Sequence, residues 1–113
     1  MKRIIATVRP TMLDDVVAAL NKMENFPGAA ISETKRVLRG TNQSDKNDQK
    51  QLNLDFPHYI RLEIICRNGL VDDLVETIRW SAYTGKEGDG KIIVSPIESA
   101  IRISDGQTDN AAL

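Results

Sequence analysis

Two nine-residue stretches of the chain, "RPTMLDDVV" at 9–17 and "RNGLVDDLV" at 67–75, read as copies of each other. Each begins at an arginine that closes a β-branched, strand-like run, passes through a turn, and opens a helix on two aspartates. Paired aspartates there suit the positive end of a helix dipole. A chain that repeats strand, turn and helix has few ways to fold. Each half must bury one strand face and one helix stripe, and two βαβ-type halves side by side do this with both helices on one face of a shared sheet. The 113 residues fit one such domain.

The finer pattern agrees. Residues 2–9, "KRIIATVR", predict a strand stopped by Pro10. Leu13, Val16, Val17, Leu20 and Met23 recur at helical spacing, with Thr11 as the expected N-cap, and "NFPGA" ends that helix. Residues 29–39 read as extended, and 40–51, "GTNQSDKNDQKQ", as a polar, mobile loop that lacks the apolar area to offset its ordering entropy. From Tyr59 to Arg67 a strand puts Ile60, Leu62, Ile64 and Cys66 on one face and Arg61, Glu63, Ile65 and Arg67 on the other. A second helix follows, with Asn68 as cap, Val71, Leu74, Val75 and Ile78 inside, and Gly85 as its C-terminal glycine. Residues 92–95 and 99–104 are expected as short strands, and 105–113 as a polar or small-residue tail. The predicted fold class is α+β, a ferredoxin-like βαββαβ sandwich with one extra short strand. The sheet face without helices mixes charge with Ile65, which predicts a subunit interface carrying ion pairs.

Composition narrows the partners. With 41% hydrophobic and 27% charged residues the chain is an ordinary globular one, and a net charge of −1 gives no attraction to nucleic acid or anionic lipid. No apolar run approaches the roughly 20 residues that span a bilayer. Charge returns at Arg9, too early for a signal-peptide core, and the single Cys66 precludes an internal disulfide. A cytoplasmic protein is expected, meeting a membrane only through a partner.

The stretch with the most chemistry is "TGKEGDGKI", Thr84–Ile92, where Gly85, Gly90 and Lys91 fit G-x-x-x-x-G-K. A phosphate loop of that type follows a strand and opens a helix; here the segment follows a helix and enters a strand, and Ile92 stands where a Ser or Thr would bind magnesium. A nucleotide hydrolase of that kind is therefore not expected. Anion binding survives, because glycines let successive N–H groups converge and two lysines add charge. Without further context the segment also reads as a plain glycine turn.

"TGKEGDGKIIVSP" followed by "ESAIRIS" resembles the C-terminal signature of the PII signal-transduction proteins, the nitrogen-regulatory family, and "MKRIIATVRPTMLDDVVAAL" resembles their first strand and helix. The resemblance covers nearly the whole chain and weakens in the middle loop. It implies a single PII-like domain over 1–113 that forms a homotrimer and binds ADP, AMP or ATP in clefts between subunits. It further implies a long flexible T-loop at about 38–56 that docks a target transporter or enzyme, a phosphate-contacting B-loop at 84–91, and a C-terminal loop and tail at 102–113. Carried over by position, Gly88, Asp89, Gly90 and Lys91 form the B-loop core, Arg39 and Arg102 match phosphate-binding arginines, and Glu63 and Ile65 match the strand lining the adenine pocket.

The departures matter as much. Gly40 stands where the family has the glutamine needed for magnesium and 2-oxoglutarate, Tyr59 where it has a phosphate-pairing lysine, Ser104 where it has a second arginine, and Arg36 where it has glycine. Leu52 occupies the position of the modified tyrosine, so uridylylation there is excluded. With a lysine and an arginine gone, ADP or AMP is expected to bind at least as well as ATP, with no 2-oxoglutarate sensing. Divergent members of this kind are similar to proteins associated with bicarbonate transport and carboxysomes, or with heavy-metal efflux pumps. Arg36, Gly40 and Tyr59 are the candidate surroundings of a small co-effector such as bicarbonate. A metal reading would lean on His58 and Cys66, but two lone ligands make a weak site, and Cys66 reads as core and His58 as a solvated loop end. Trp80 and Tyr83 are expected to pack, Trp80 partly at the subunit interface, rather than stack on adenine, and Asp89 to order its turn or touch the nucleotide rather than act as a base. No catalytic constellation is visible, so no enzyme and no cofactor are predicted beyond the bound nucleotide.

Overall fold

The structure, a computed structural model, describes residues 1–37 and 58–113. Arg39, Gly40, Leu52 and the expected T-loop at 38–56 lie outside the described residues. Six elements follow in order: β1 (Lys2–Val8), α1 (Leu13–Asn21), β2 (Ala30–Lys35), β3 (His58–Cys66), α2 (Val71–Ala82) and β4 (Gly90–Pro96). The four strands form one antiparallel sheet in the order β2-β3-β1-β4. This is the ferredoxin-like arrangement, with both helices against one face.

The duplicated motif is duplicated in space. Arg9 and Arg67 both leave their strands extended, at φ −62°, ψ 140° and φ −69°, ψ 151°. Each carbonyl then accepts a hydrogen bond from the amide three residues on, Met12 at 2.9 Å and Leu70 at 3.1 Å. A 3-10 turn results in each half, Pro10–Met12 and Asn68–Leu70, and the α-helix starts directly after it. Thr11 and Asn68 are therefore not helix caps, as the sequence had suggested. The chain turns a residue or more earlier, both side chains lie within the 3-10 turns, and neither helix has a side-chain cap.

The core lies between helices and sheet. Ile4, Ala6 and Val8 of β1 and Ile60, Leu62, Ile64 and Cys66 of β3 meet Val16 and Leu20 of α1 and Leu74, Ile78 and Ala82 of α2. Period-2 burial along β3 and period-3.6 burial along the helices match the pattern in the sequence. Burial also pushes the Cys66 thiol pKa up, which suits a small apolar filler.

Two expected boundaries differ. Helix α2 ends when Tyr83 turns extended at ψ 128°, so Gly85 is not its terminator; its φ of +82° serves the bend that follows. Residues 99–104 make no strand. Among the described residues only an isolated bridge joins Ile101 to Thr108, no neighbouring strand runs beside them, and Ile103 is fully exposed. Trp80 and Tyr83 are not packed inside: both are more than half exposed, meeting edge-on at 5.7 Å with the Arg79 guanidinium over the Trp80 ring.

Candidate functional site

The open sheet face carries Arg3, Ile5 and Thr7 of β1, Arg61, Glu63 and Ile65 of β3, and Lys91 and Ile93 of β4. Three of its charges pair within the chain: Glu63 lies 3.2 Å from Arg61 and 3.9 Å from Arg3. The glycine segment sits at one corner of this face, where β4 begins.

Three interactions fix the segment. Asp89 folds it back on itself: its carboxylate accepts from the Thr84 hydroxyl, from the Thr84 amide at 2.8 Å, and from Arg9 Nε at 2.9 Å. The Thr84 bonds chiefly, with Arg9 beside them, hold the Asp89 carboxyl well below the usual carboxylate range. Such a group is a poor proton acceptor, which supports the ordering role over a catalytic one. Gly90 then brings β4 in close. A Cβ on it would lie 1.7 Å from the Thr7 carbonyl oxygen, and its φ is +115°, so only glycine fits. Finally, two carbonyls are taken up by the sheet corner. Glu87 O accepts from Arg9 Nη2, and Gly88 O accepts from the Tyr59 hydroxyl at 3.0 Å.

Peptide planarity gives the last step its chemical meaning. In a trans peptide the N–H points opposite the C=O. With the Glu87 and Gly88 carbonyls drawn to Arg9 and Tyr59, the N–H groups of Gly88 and Asp89 turn the other way. The Asp89 amide faces the Lys86 carbonyl across the turn at 87–88, and the Gly88 amide is left facing away from Arg9, a donor suited to an oxyanion. Beside it, between β4 and α2, a recess of about 320 Å³ is bordered by Arg79, Ala82, Tyr83, Asp89, Gly90 and Lys91.

The residues singled out from the sequence divide into three groups. Tyr59, Gly88, Asp89 and Gly90 meet at the corner, with Lys91 at the start of β4 and Arg36 stacked 4.8 Å from the centre of the Tyr59 ring. Glu63 and Ile65 lie on the same face but further along β3, about 13 and 20 Å from Tyr59 at the usual rise per residue. Arg102 and Ser104 belong to the far end of the sheet. The chain reaches them after β4 has run its length, where Ile97 N–H donates to Met1 O at 3.2 Å. There Arg102 holds the tail, donating to Asp105 at 2.9 Å and to the Ala111 carbonyl at 2.9 Å. His58 and Cys66 stand at opposite ends of β3, about 26 Å apart, one exposed and one buried, and cannot share an ion.

Sequence reasoning missed Arg9. Its partner Asp89 is 80 positions away, and only the antiparallel pairing of β1 with β4, Val8 opposite Gly90, brings them together. The repeat "RPTMLDDVV" marked the position as structural but gave no sign of what the side chain would hold.

A ferredoxin-like domain with a glycine corner fixed by Arg9, Tyr59 and Asp89 and a charged open sheet face defines the class. The comparisons narrow it. Residues 1–107 match the family model described as Nitrogen regulatory protein P-II. Over all 113 residues of both chains, the sequence is 34% identical to the nitrogen regulatory protein P-II of Synechocystis sp. and 32% to that of Azospirillum brasilense. It is 36% identical, over the same full coverage, to nitrogen regulatory protein P-II 1 of Escherichia coli K12. The chain belongs to the P-II family.

Proposed function

We propose that this chain is a trimeric sensor of adenine nucleotides, which it binds through the glycine corner in clefts between subunits. In this reading it signals to a transporter or enzyme through the segment at 38–56, with a small anion such as bicarbonate as co-effector. One observation carries the reading: the two halves of the expected phosphate site lie at opposite ends of the sheet. Gly88–Lys91 begin β4, whereas Arg102 and Ser104 follow its other end. One copy cannot fold them onto one ligand, so a second must supply the far half. The open face, with Ile93 56% exposed beside Arg3, Arg61 and Glu63, and the exposed Ile101 and Ile103 give that second copy apolar area to cover.

The corner also bears on which nucleotide is held. Tyr59 spends its hydroxyl on a backbone carbonyl and brings no charge to a phosphate, and Ser104 brings none either. ADP or AMP is therefore held at least as well as ATP. Isothermal titration with AMP, ADP and ATP, each with and without bicarbonate and separately with 2-oxoglutarate plus magnesium, tests the reading. Binding of ADP strengthened by bicarbonate and indifferent to 2-oxoglutarate is the expected result. A much higher affinity for ATP than for ADP would overturn the nucleotide preference, and no nucleotide binding would overturn the function.

A further inference from the structure

We infer that Arg9 and Tyr59 are positioning residues of the nucleotide site: by seizing the Glu87 and Gly88 carbonyls they fix the two peptides around Gly88 and leave the Gly88 amide facing away from the corner, toward the phosphate. The inference rests on the proposed nucleotide binding and adds to it which side chains set the geometry of the glycine segment.

Glycine-rich backbone has no intrinsic preference for one peptide orientation. Gly88 at φ +90° and Gly90 at φ +115° occupy regions open mainly to glycine, and a glycine peptide can rotate between orientations at small cost. Something outside the segment must choose. The structure places that choice on two side chains of the sheet corner, which close on Gly88 from two directions. A Cβ added at Gly88 would lie 3.3 Å from the Tyr59 hydroxyl and 3.4 Å from Arg9 Nη2. Each donor takes one of two consecutive carbonyls, and each planar peptide then sets the direction of its own N–H, the Asp89 amide into the turn and the Gly88 amide away from Arg9.

Both positioning residues are themselves held. Arg9 is anchored through Nε on Asp89, which leaves Nη2 aimed at Glu87 O. Tyr59 is 6% exposed although it stands on the helix-free face, because the Arg36 guanidinium covers its ring and the glycine segment covers its hydroxyl. A lysine at 59 would present an ammonium directly to an anion. The tyrosine acts one step back, through the backbone, and adds no charge. The arrangement therefore recognises phosphate mainly by an N–H donor of fixed direction.

The test compares wild type with Tyr59→Phe, Arg9→Gln and Arg9→Lys, titrating each with ADP and with inorganic pyrophosphate while following the Gly88 amide by NMR. Tyr59→Phe removes only the hydroxyl, so the ring and its contact with Arg36 remain. Affinity for both ligands should fall about tenfold in Tyr59→Phe and in Arg9→Gln, roughly the worth of one strong hydrogen bond to an anion. The Gly88 amide resonance should lose the large ligand-induced shift expected in wild type. Arg9→Lys should recover part of the affinity, since a lysine still reaches one of the two acceptors. A merely structural role would lower the melting temperature and leave the affinity and amide shifts of the folded protein unchanged, and that result overturns the inference while nucleotide binding stands. Failure of the wild type to bind either ligand would overturn both.

Discussion

The two halves of the molecule start from the same motif and end differently. Arg9 and Arg67 share a backbone conformation, a 3-10 turn and an acidic helix start. After α1, however, the chain returns through "KMENFPGA", and after α2 through "YTGKEGDG". The second connection carries three glycines at positive φ and an aspartate that reaches back to Arg9. The first has one such glycine, Gly28, with open space around it. At that end Arg67 borders a wider recess of about 700 Å³ with Asn25, Pro27, Cys66 and Leu113. It is the larger of the two hollows, yet among the described residues no paired side chains hold consecutive carbonyls there as Arg9 and Tyr59 do. The scaffold was used twice; the chemistry went into one connection, and size of cavity does not say which.

The comparison can be broken most forcefully at the glycines. Gly90→Ala drives a methyl into the Thr7 carbonyl, so it should cost more than about 4 kcal/mol or prevent folding, whereas its counterpart Gly28→Ala meets only the left-handed backbone penalty of about 1–2 kcal/mol. Thermal and denaturant unfolding of the two variants measure this directly, and equal losses would mean that the close approach of β4 to β1 is not what fixes the corner. Next come the helices, where the halves should behave alike. Leu20 and Ile78 are equivalent, fully buried positions, and truncating either to Ala should cost about 2–5 kcal/mol in chemical denaturation.

A smaller effect belongs to Asp89 and has a definite pH sense. Its folded pKa is depressed, so its contribution is complete above the ordinary carboxylate value of about 3.9 and is lost as pH falls through the lower folded value. ADP affinity should stay flat on this account from pH 7 to about pH 4.5, with Asp89→Asn weakening binding throughout. A decline between pH 7 and 5 that disappears in Asp89→Asn would contradict the assignment. The least effect is expected at Arg67: Arg67→Gln should stay within about 0.5 kcal/mol of wild type in stability and leave ADP titrations unchanged, against the loss at Arg9.

Much of the fold was legible because it is encoded locally. Alternation from Ile60 to Cys66 and helical spacing of Leu74 and Ile78 report burial directly, and the buried residues agree. The helix starts were misjudged at Thr11 and Asn68 because a cap is a matter of one residue, and a 3-10 turn satisfies the same amides by another route. Residues 99–104 were expected as a short strand, but a strand needs a neighbour, and the described residues offer only the single bridge between Ile101 and Thr108. At the site, the glycines and Asp89 were readable, since positive φ and side-chain-to-backbone turns leave a local signature. Arg9 and Tyr59 were not, because their roles depend on β1 and β3 delivering them to a loop 80 and 29 positions away. Tyr59 looked like a missing lysine; in the fold it is a hydrogen-bond donor to the backbone.

The hydroxyl of Tyr59 has a consequence for communication. This residue is the second of β3, pairs with Thr34 near the end of β2, and touches the glycine segment. Any partner that displaces these strand ends must disturb the Gly88 carbonyl, and any anion that locks Gly88 must resist that displacement. By thermodynamic reciprocity the two influences are equal in free energy. A single phenol thus sets an upper limit on how strongly the two regions can talk through this route, and weakening its bond should bring the affinity of each for its ligand closer to independence.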